Sequence, residues 1–278
     1  MSSQCNSKCE GCSDENCQSR IEKAVLNSKS HIKHTIAIVS GKGGVGKSFV
    51  TTILGLLLNA KGFRVGILDG DITGPSIPKS FNLHGTVYGD KDGLIVPLET
   101  KKGLKVISSN LLLENEDEPI IWRGSLVSNL LLQFYKDVYW GELDYLLIDM
   151  PPGTGDVTLT SFQSIPLEGI LIVTTPQDLV SLIVTKAINM SKMMDIPILG
   201  IVENMSYIIC PKCKERIDLY GESHLKDEVK DLNIPILAEF PISPVDTKLI
   251  DKGEAENIEL AKYFKFVDNF LKKENKND

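Results

Sequence analysis

Residues 41–48 read Gly-Lys-Gly-Gly-Val-Gly-Lys-Ser, directly after the apolar, β-rich segment 35–40 and directly before a segment with helical periodicity. This spacing satisfies G-x-x-x-x-G-K-[ST] in the strand-loop-helix context that the motif requires. Its glycines let successive backbone N–H groups turn toward phosphate oxygens, and the positive end of the following helix adds to the attraction. A tight turn without a ligand is the structural alternative. The loop predicts a phosphate site at the carboxyl end of the first strand.

The motif also assigns roles to single residues. Lys47 is expected to pair with the β- and γ-phosphates, and Ser48 to offer its hydroxyl to Mg²⁺. The backbone cradle is formed by Gly41, Gly43, Gly44, Val45 and Gly46. The loop therefore predicts a nucleoside phosphate bound with Mg²⁺.

Short β-rich segments alternate with longer amphipathic segments along the rest of the chain. The predicted strands are residues 35–40, 65–69, 104–108, 145–150, 169–175, 198–203 and 236–240, and the predicted helices are 46–60, 125–139, 179–194 and 256–272. Several strands are apolar on both faces, as in a buried parallel sheet. We predict a doubly wound, mostly parallel α/β sheet with ligands beyond the carboxyl ends of its strands. Residues 1–33 are assigned to a Cys-rich extension and linker, 34–272 to one domain and 273–278 to a frayed, charged tail.

Net charge and hydropathy argue against nucleic-acid binding and against insertion into a membrane. The 278 residues carry a formal net charge of -7 and no block rich in Lys or Arg, so a nucleic-acid backbone would be repelled. No segment approaches the roughly 20 apolar residues that span a bilayer, and residues 1–30 lack the apolar core of a signal peptide. We expect a cytoplasmic protein without nucleic-acid or membrane partners.

Two acidic motifs lie at the carboxyl ends of predicted strands. Asp149 lies in the segment 145–150, where a buried carboxylate is costly unless a cation or donors compensate it, and Mg²⁺ is the expected partner. Asp69 ends the segment 65–69, and two roles stay open for it: an outer-sphere contact to Mg²⁺ or a cap on the turn.

Gly153 lies four residues after Asp149, which is close to the spacing of a D-x-x-G switch whose backbone N–H contacts a γ-phosphate. Pro151 and Pro152 are also compatible with a simple stiff turn.

Six cysteines fall into two separated sets. Cys210 and Cys213 supply only two of the four ligands that zinc or an iron–sulfur cluster normally takes, and a symmetric dimer would supply the other two. They follow the segment 198–203 closely, so we expect them at the same edge of the sheet as the nucleotide. A redox-active thiol pair and a zinc ribbon divided between two subunits are the alternatives.

The first set has the pattern C-x₃-C-x₂-C-x₄-C and consists of Cys5, Cys9, Cys12 and Cys17. This spacing is short enough for one chain to supply every ligand. In a reducing compartment, closely spaced cysteines are more often metal ligands or catalytic thiols than disulfides. A cluster and a zinc ion both remain open for this set.

Lys42 is not required by a plain phosphate loop, and it makes the chain resemble the deviant P-loop class of Min and Par positioning ATPases, the nitrogenase iron protein and Mrp-type iron–sulfur carriers. The resemblance implies an ATP-dependent dimer in which Lys42 reaches the partner's nucleotide. It also implies that Asp71 positions the attacking water and that Asn204 reads the adenine edge, with an ordinary asparagine turn as the alternative for Asn204. Phe49 departs from the class, where Thr or Ser is common, so a side-chain contact to the α-phosphate is expected to be missing.

The likeness to Mrp-type iron–sulfur cluster carrier ATPases is close and covers residues 33 to about 270. The shared motifs, in order, are residues 41–48, 69–76, 122–124, 149–156, 174–177 and the pair Cys210 and Cys213. The resemblance implies weak ATP hydrolysis and a labile [4Fe–4S] cluster that is held by a homodimer and passed to apo-proteins. A nucleotide-switched positioning ATPase, in which both cysteine sets are incidental, is the competing hypothesis.

Two further expectations concern side chains outside these motifs. The histidines show no ligand spacing, so we expect solvated loop positions for His31, His34, His84 and His224. The segment 256–272 has helical spacing at Ile258, Ala261, Phe264, Val267 and Leu271. Its polar face mixes both signs of charge, which favours packing on the sheet over lying on a membrane.

Overall fold

A computed structural model of the chain describes residues 23–71, 74, 76–112, 124–153, 155–177, 180–221, 223–232 and 234–274. The first cysteine set, Cys5, Cys9, Cys12 and Cys17, lies outside the described residues, as do Trp122 and Arg123 of the shared motifs. The expectations for these residues stay predictions.

One sheet contains the nine strands of the described residues. They are β1 (His31–Ser40), β2 (Val65–Asp69), β3 (Leu98–Glu99), β4 (Lys105–Ser108), β5 (Glu142–Asp149), β6 (Gly169–Thr174), β7 (Ile198–Ile209), β8 (Arg216–Ile217) and β9 (Ile236–Pro241). The order across the sheet is β3-β4-β2-β5-β1-β6-β7-β8, and β9 also pairs with β7. The two-residue strands β3 and β8 are antiparallel to their neighbours, whereas the other pairings are parallel. The predicted, mostly parallel sheet is confirmed.

Helices cover both faces of this sheet. They are α1 (Lys47–Ala60), α2 (Ile77–Ser80), α3 (Gly124–Asp137), α4 (Asp156–Ser164), α5 (Val180–Met193), α6 (Leu225–Val229), α7 (Pro244–Asp251) and α8 (Phe264–Glu274). A hydrophobic core lies on each face of the sheet. Alternate residues of β1 pack into one core or the other, because successive side chains of a strand point to opposite faces. Ile36 and Ile38 pack with α1 and α8, and Ala37 and Val39 pack with the core that includes α3, α4 and α5. This is the doubly wound arrangement that the sequence predicts.

The element boundaries differ from the predictions at several places. β1 begins at His31, four residues earlier than expected, so His31 and His34 lie in a strand and the loop prediction is wrong for both. β7 continues to Ile209, and Asn204 therefore lies inside a strand instead of beyond its end. Helices α2, α4, α6 and α7 were missed because they are short and contain too few apolar residues for a clear period.

The last predicted helix is also built differently. Residues 255–257 and 260–263 form 3₁₀ turns, and α8 begins only at Phe264 and extends to Glu274. A 3₁₀ turn advances three residues per turn, which changes the phase of the apolar positions. Phe264 is consequently 43% exposed, whereas Phe266 and Phe270 are buried against the sheet. Packing on the sheet is confirmed, with Ile258 and Val267 buried as predicted. Lys273 and Glu274 belong to α8 instead of the frayed tail.

In the part of the chain that the structure describes, no helix combines the length and the apolar character that crossing a membrane would require.

Candidate nucleotide and cluster sites

The phosphate loop lies between the carboxyl end of β1 and the start of α1. Gly44 and Gly46 have φ values of +79° and +77°, a conformation that glycine adopts without strain. A Cβ at Gly46 would also overlap Asn204 Nδ2. Asn204 is 3% exposed, and its Nδ2 donates a hydrogen bond of 2.9 Å to the Val45 carbonyl. β7 therefore supports the loop from one side, and the predicted adenine contact of Asn204 stays a prediction.

Asp149 is the centre of the polar contacts behind the loop. Its Oδ2 accepts a hydrogen bond of 2.6 Å from Ser48 Oγ, and its Oδ1 accepts one of 2.7 Å from Thr51 Oγ1. Lys47 Nζ lies 2.8 Å from Oδ2, an ion pair whose alignment is too poor for a hydrogen bond. Lys47 is 5% exposed and Asp149 is 0% exposed, so the pair is removed from water.

Thr51 is a site residue that the sequence reasoning missed. It stands four residues after Lys47, so the two residues share one face of α1 and both reach the carboxylate of Asp149. The signal was present in the sequence, since a buried carboxylate needs several donors and Thr51 is the next hydroxyl one helical turn beyond Lys47.

Asp69 at the end of β2 is fully buried and accepts backbone hydrogen bonds from three of the residues that the structure describes. The donors are the N–H groups of Asp71, Ser76 and Ile77, at 3.2, 3.1 and 3.1 Å. Burial, followed by the charge of the neighbouring Asp149, raises the pKa of Asp69 to about 7. These contacts are those of a turn cap, the second of the two expected roles. The outer-sphere contact to Mg²⁺ stays a prediction.

A cleft of about 280 Å³ opens in front of the loop. It is lined by Ser40, Gly43, Gly44, Val45, Gly46, Lys47, Ser48, Phe49, Asp71, Ser76 and Pro152. The structure thus brings Asp71 next to the phosphate loop. Its role in positioning an attacking water stays a prediction. Gly153, with φ of +91°, donates its N–H to the Ser40 carbonyl at 2.8 Å. A contact from this N–H to a γ-phosphate would require that hydrogen bond to break.

Lys42 and Phe49 flank the cleft. Lys42 donates a hydrogen bond from Nζ to Gln177 Oε1 within the same chain, and its action across a dimer stays a prediction. The Phe49 ring packs edge-on against Phe240 and Tyr263, with centroids 6.5 and 6.3 Å apart. Phe49 therefore joins an aromatic cluster between α1, β9 and the last 3₁₀ turn.

The second cysteine pair lies at the tip of a hairpin formed by β7 and β8. The Cys210 N–H donates to the Glu215 carbonyl and the Lys214 N–H donates to the Cys210 carbonyl, both at 2.9 Å. Both cysteines are free thiols, with Cys210 partly buried and Cys213 exposed. The Cys213 and Lys212 backbone N–H groups, followed by the Cys213 thiol, lower the pKa of Cys210. The turn thus favours the thiolate, which is the form that binds metals.

The hairpin leaves the sheet at its carboxyl edge, as expected. β7 carries both Asn204, which touches the phosphate loop, and Ile209, which precedes the cysteine turn. Large apolar side chains around the turn are exposed by 43 to 50%, namely Ile209, Ile217, Leu219 and Tyr220. An exposed apolar group beside two thiols is typical of a contact surface.

A family model described as ParA, NUBPL iron-transfer P-loop NTPase, matches residues 31–272. The chain belongs to this family. The resemblance inferred from the phosphate loop, Lys42 and the cysteine pair is thereby confirmed. Nucleotide binding through a P-loop is the property that the family shares.

Relatives in the family carry names that refer to iron–sulfur clusters. The iron-sulfur cluster carrier protein of Clostridium perfringens (strain 13 / Type A) is 45% identical over 257 residues, which cover 90% of this chain and 90% of that protein. The cytosolic Fe-S cluster assembly factor CFD1 of Kluyveromyces lactis is 43% identical over 228 residues, which cover 80% of this chain and 81% of that protein. A solved structure from Archaeoglobus fulgidus is described as the nucleotide-binding protein in complex with ADP, with Co found by PIXE. Its sequence is 42% identical to this chain, and the TM-score is 0.74. The match covers 84% of this chain and 92% of that chain.

Proposed function

We propose that the protein is an ATP-dependent iron–sulfur carrier that holds a [4Fe–4S] cluster between two copies of the chain and passes it to apo-proteins. The observation that carries the proposal is the thiol pair Cys210 and Cys213 at an exposed hairpin tip. Relatives that cover most of the chain are named for cluster carriage and assembly, which supports the same cargo.

The need for two chains follows from ligand number. An iron–sulfur cluster of this kind is held by four thiolates, and one hairpin offers two. A two-fold axis beside the hairpin would bring the same two thiols from the second copy. The apolar side chains Ile209, Ile217 and Leu219 around the turn would then be covered by the partner.

The nucleotide half of the mechanism uses the residues around Asp149. Ser48 and Asp149 offer hard oxygen ligands 2.6 Å apart, a donor set that fits Mg²⁺, and the ion would neutralise phosphate charge when bound. Lys47 lies beside this pair and lines the same cleft, and it would contact phosphate oxygens there. Asp71 faces the same cleft and would orient the attacking water, and Lys42 of the second copy would reach the phosphates. Hydrolysis of ATP by this site is expected to be weak.

The remaining assignments are parts of the same proposal. The first cysteine set would hold a cluster or zinc, and the protein would act in the cytoplasm. The cytosolic assembly factor of Kluyveromyces lactis supports that location.

Anaerobic reconstitution tests the proposed cargo. The chain is loaded with iron and sulfide, and transfer is followed as the returning activity of an apo-dehydratase that requires a [4Fe–4S] cluster. We expect brown protein with iron and sulfide in similar amounts. The double variant Cys210→Ser, Cys213→Ser should lose the transferable cluster.

A matched control separates the two cysteine sets. A variant with Cys5, Cys9, Cys12 and Cys17 changed to Ser should keep transfer. Colourless protein that contains only zinc, or undiminished transfer by the Cys210→Ser, Cys213→Ser variant, would overturn the proposal.

A further inference from the structure

Three side chains of types that can bind metals come from distant parts of the chain and meet at the amino end of the sheet, away from the phosphate loop. They are His34 in β1, Glu168 directly before β6 and Glu274 at the end of α8. His34 Nδ1 lies 2.8 Å from Glu168 Oε2 and 3.5 Å from Glu274 Oε1. One ligand atom from each residue lies within 4.8 Å of the other two.

We propose that His34, Glu168 and Glu274 bind a divalent transition-metal ion, for which zinc is the reference. Zinc lies about 2.0–2.2 Å from imidazole nitrogen and carboxylate oxygen, so two ligands of one tetrahedral ion are about 3–3.5 Å apart. The distances of 2.8 and 3.5 Å from His34 Nδ1 are close to that spacing. One imidazole with two carboxylates suits zinc, cobalt or manganese, and the ligand set contains no thiolate.

The charges at this position also favour a cation. Two carboxylates converge on a single imidazole nitrogen, which carries at most one proton between them. A divalent ion between the three side chains would be attracted by both carboxylates at once. The Glu274 side chain is only 9% exposed, so water screens its charge poorly. His34 and Glu168 are 25% and 48% exposed, which leaves the ion open to water as a fourth ligand.

Neighbouring groups hold the ligands in place. The Tyr145 hydroxyl donates a hydrogen bond of 2.5 Å to Glu274 Oε2, so that Oε1 is the oxygen nearest to His34. The His34 ring stacks on the Tyr145 ring with centroids 5.0 Å apart. The Glu168 N–H donates to the Thr35 carbonyl at 3.0 Å, which keeps Glu168 beside β1. Outer contacts of this kind orient metal ligands.

The site has a structural consequence. Ser40 at the phosphate loop lies six positions after His34 along β1, about 20 Å of extended chain. A bound ion would tie the end of α8 to β1 and to the segment that enters β6. Its effect should therefore be seen in stability, and ATP hydrolysis should be changed little.

Zinc titration of the full chain tests the proposal. All six cysteines are changed to Ser to remove competing thiolates, and zinc chloride is titrated by calorimetry without nucleotide. We expect one site that His34→Ala and Glu168→Gln each weaken by more than about 100-fold, since loss of an outer contact alone costs about 10–100-fold. Tyr145→Phe, which keeps the stacked ring, should weaken the site by about 10–100-fold.

His31→Ala is the matched control. His31 lies on the same strand with one carboxylate beside it, and its Nδ1 is 3.6 Å from Glu142 Oε2 with both side chains more than 60% exposed. This variant should bind zinc like the parent.

Thermal unfolding and X-ray absorption provide independent readouts. Zinc should raise the unfolding midpoint of the parent and of His31→Ala but not of Glu168→Gln, whose altered side chain is half exposed and should not prevent folding. X-ray absorption at the zinc edge should show nitrogen and oxygen ligands at about 2.0–2.2 Å. Equal zinc affinity and equal midpoint shifts in Glu168→Gln and His31→Ala would overturn the proposal.

Discussion

Asp149 shows how one buried charge organises a site. The carboxylate has no exposure, and it is compensated by the Lys47 ammonium and by the hydroxyls of Ser48 and Thr51. Removing one partner of a buried ion pair is costly because the other charge is left without compensation. The folding stability of the protein without nucleotide and its ability to bind a nucleotide therefore depend on the same residues.

Asp149→Asn should lower the free energy of unfolding by about 3 kcal/mol, because the Lys47 charge stays buried without its partner. Urea unfolding without nucleotide measures this loss. Asp268→Asn is the control, since Asp268 pairs with Lys61 at 2.8 Å while 48% exposed, and it should cost less than about 1 kcal/mol. Equal losses in the two variants would contradict this account of Asp149.

Asp69 should make stability depend on pH near neutrality. Its pKa is raised from 3.8 to about 7 by burial and by Asp149, so the folded protein keeps a proton that the unfolded chain has lost. The stability from this group is complete below the unfolded pKa and is lost as pH rises through about 7. From pH 5 to pH 8, the wild type should lose about 3 kcal/mol more than Asp69→Asn. Urea unfolding at both pH values measures the difference, and identical pH dependence would show that Asp69 is already ionised at pH 5.

At the scale of elements, α1 joins the phosphate loop to the aromatic core. Its first turn carries Lys47 and Ser48 toward Asp149, and Phe49 turns the other way to meet Phe240 and Tyr263. The large side chain that departs from the deviant P-loop class thus has a packing role. The hairpin of β7 and β8 is the second such element, because its turn carries both thiols and its strand β7 supports the phosphate loop through Asn204.

Phe49→Ala should destabilise the protein by about 2 kcal/mol, because it empties part of the aromatic cluster. Phe264→Ala serves as control, since Phe264 is 43% exposed and its loss should cost less than about 1 kcal/mol. Chemical unfolding of both variants measures the difference. A Phe49→Ala cost no larger than that of Phe264→Ala would show that the cluster does not support α1.

For the whole molecule, the central question is whether each ATP site needs residues from two copies of the chain. Lys42 contacts Gln177 of its own chain, whereas the deviant P-loop resemblance places its action on the partner's nucleotide. Mixing inactive variants distinguishes the two cases. Lys42→Ala and Lys47→Ala should each abolish ATP hydrolysis alone, and their mixture should regain about a quarter of the wild-type rate, because a heterodimer contains one complete site. No recovery after verified subunit exchange would show that Lys42 acts within its own chain.

Separation of the two sites gives a further test. Lys47→Ala should block ATP-dependent cluster delivery while the iron and sulfide bound on reconstitution stay close to wild type, because the thiols lie at the hairpin and not in the loop. Cys210→Ser with Cys213→Ser should show the reverse, with nucleotide binding kept and delivery lost. Metal analysis and nucleotide titration measure both. Joint loss of cluster loading and nucleotide binding in either variant would show that the sites are not separable.

The sequence by itself determined the parallel α/β sheet, the phosphate loop, Asp149 and the cysteine pair, because these depend on periodicity and on motifs whose residues are close together in the chain. Only the tertiary structure decided that Thr51 completes the contacts of Asp149, that Asn204 supports Val45 and that Gly153 bonds to Ser40. The same is true of His34, which the sequence placed in a loop and which lies in β1 beside Glu168, 134 residues away. Such contacts depend on the order and register of the strands. Local sequence patterns do not encode that order or register, so they could not predict these contacts.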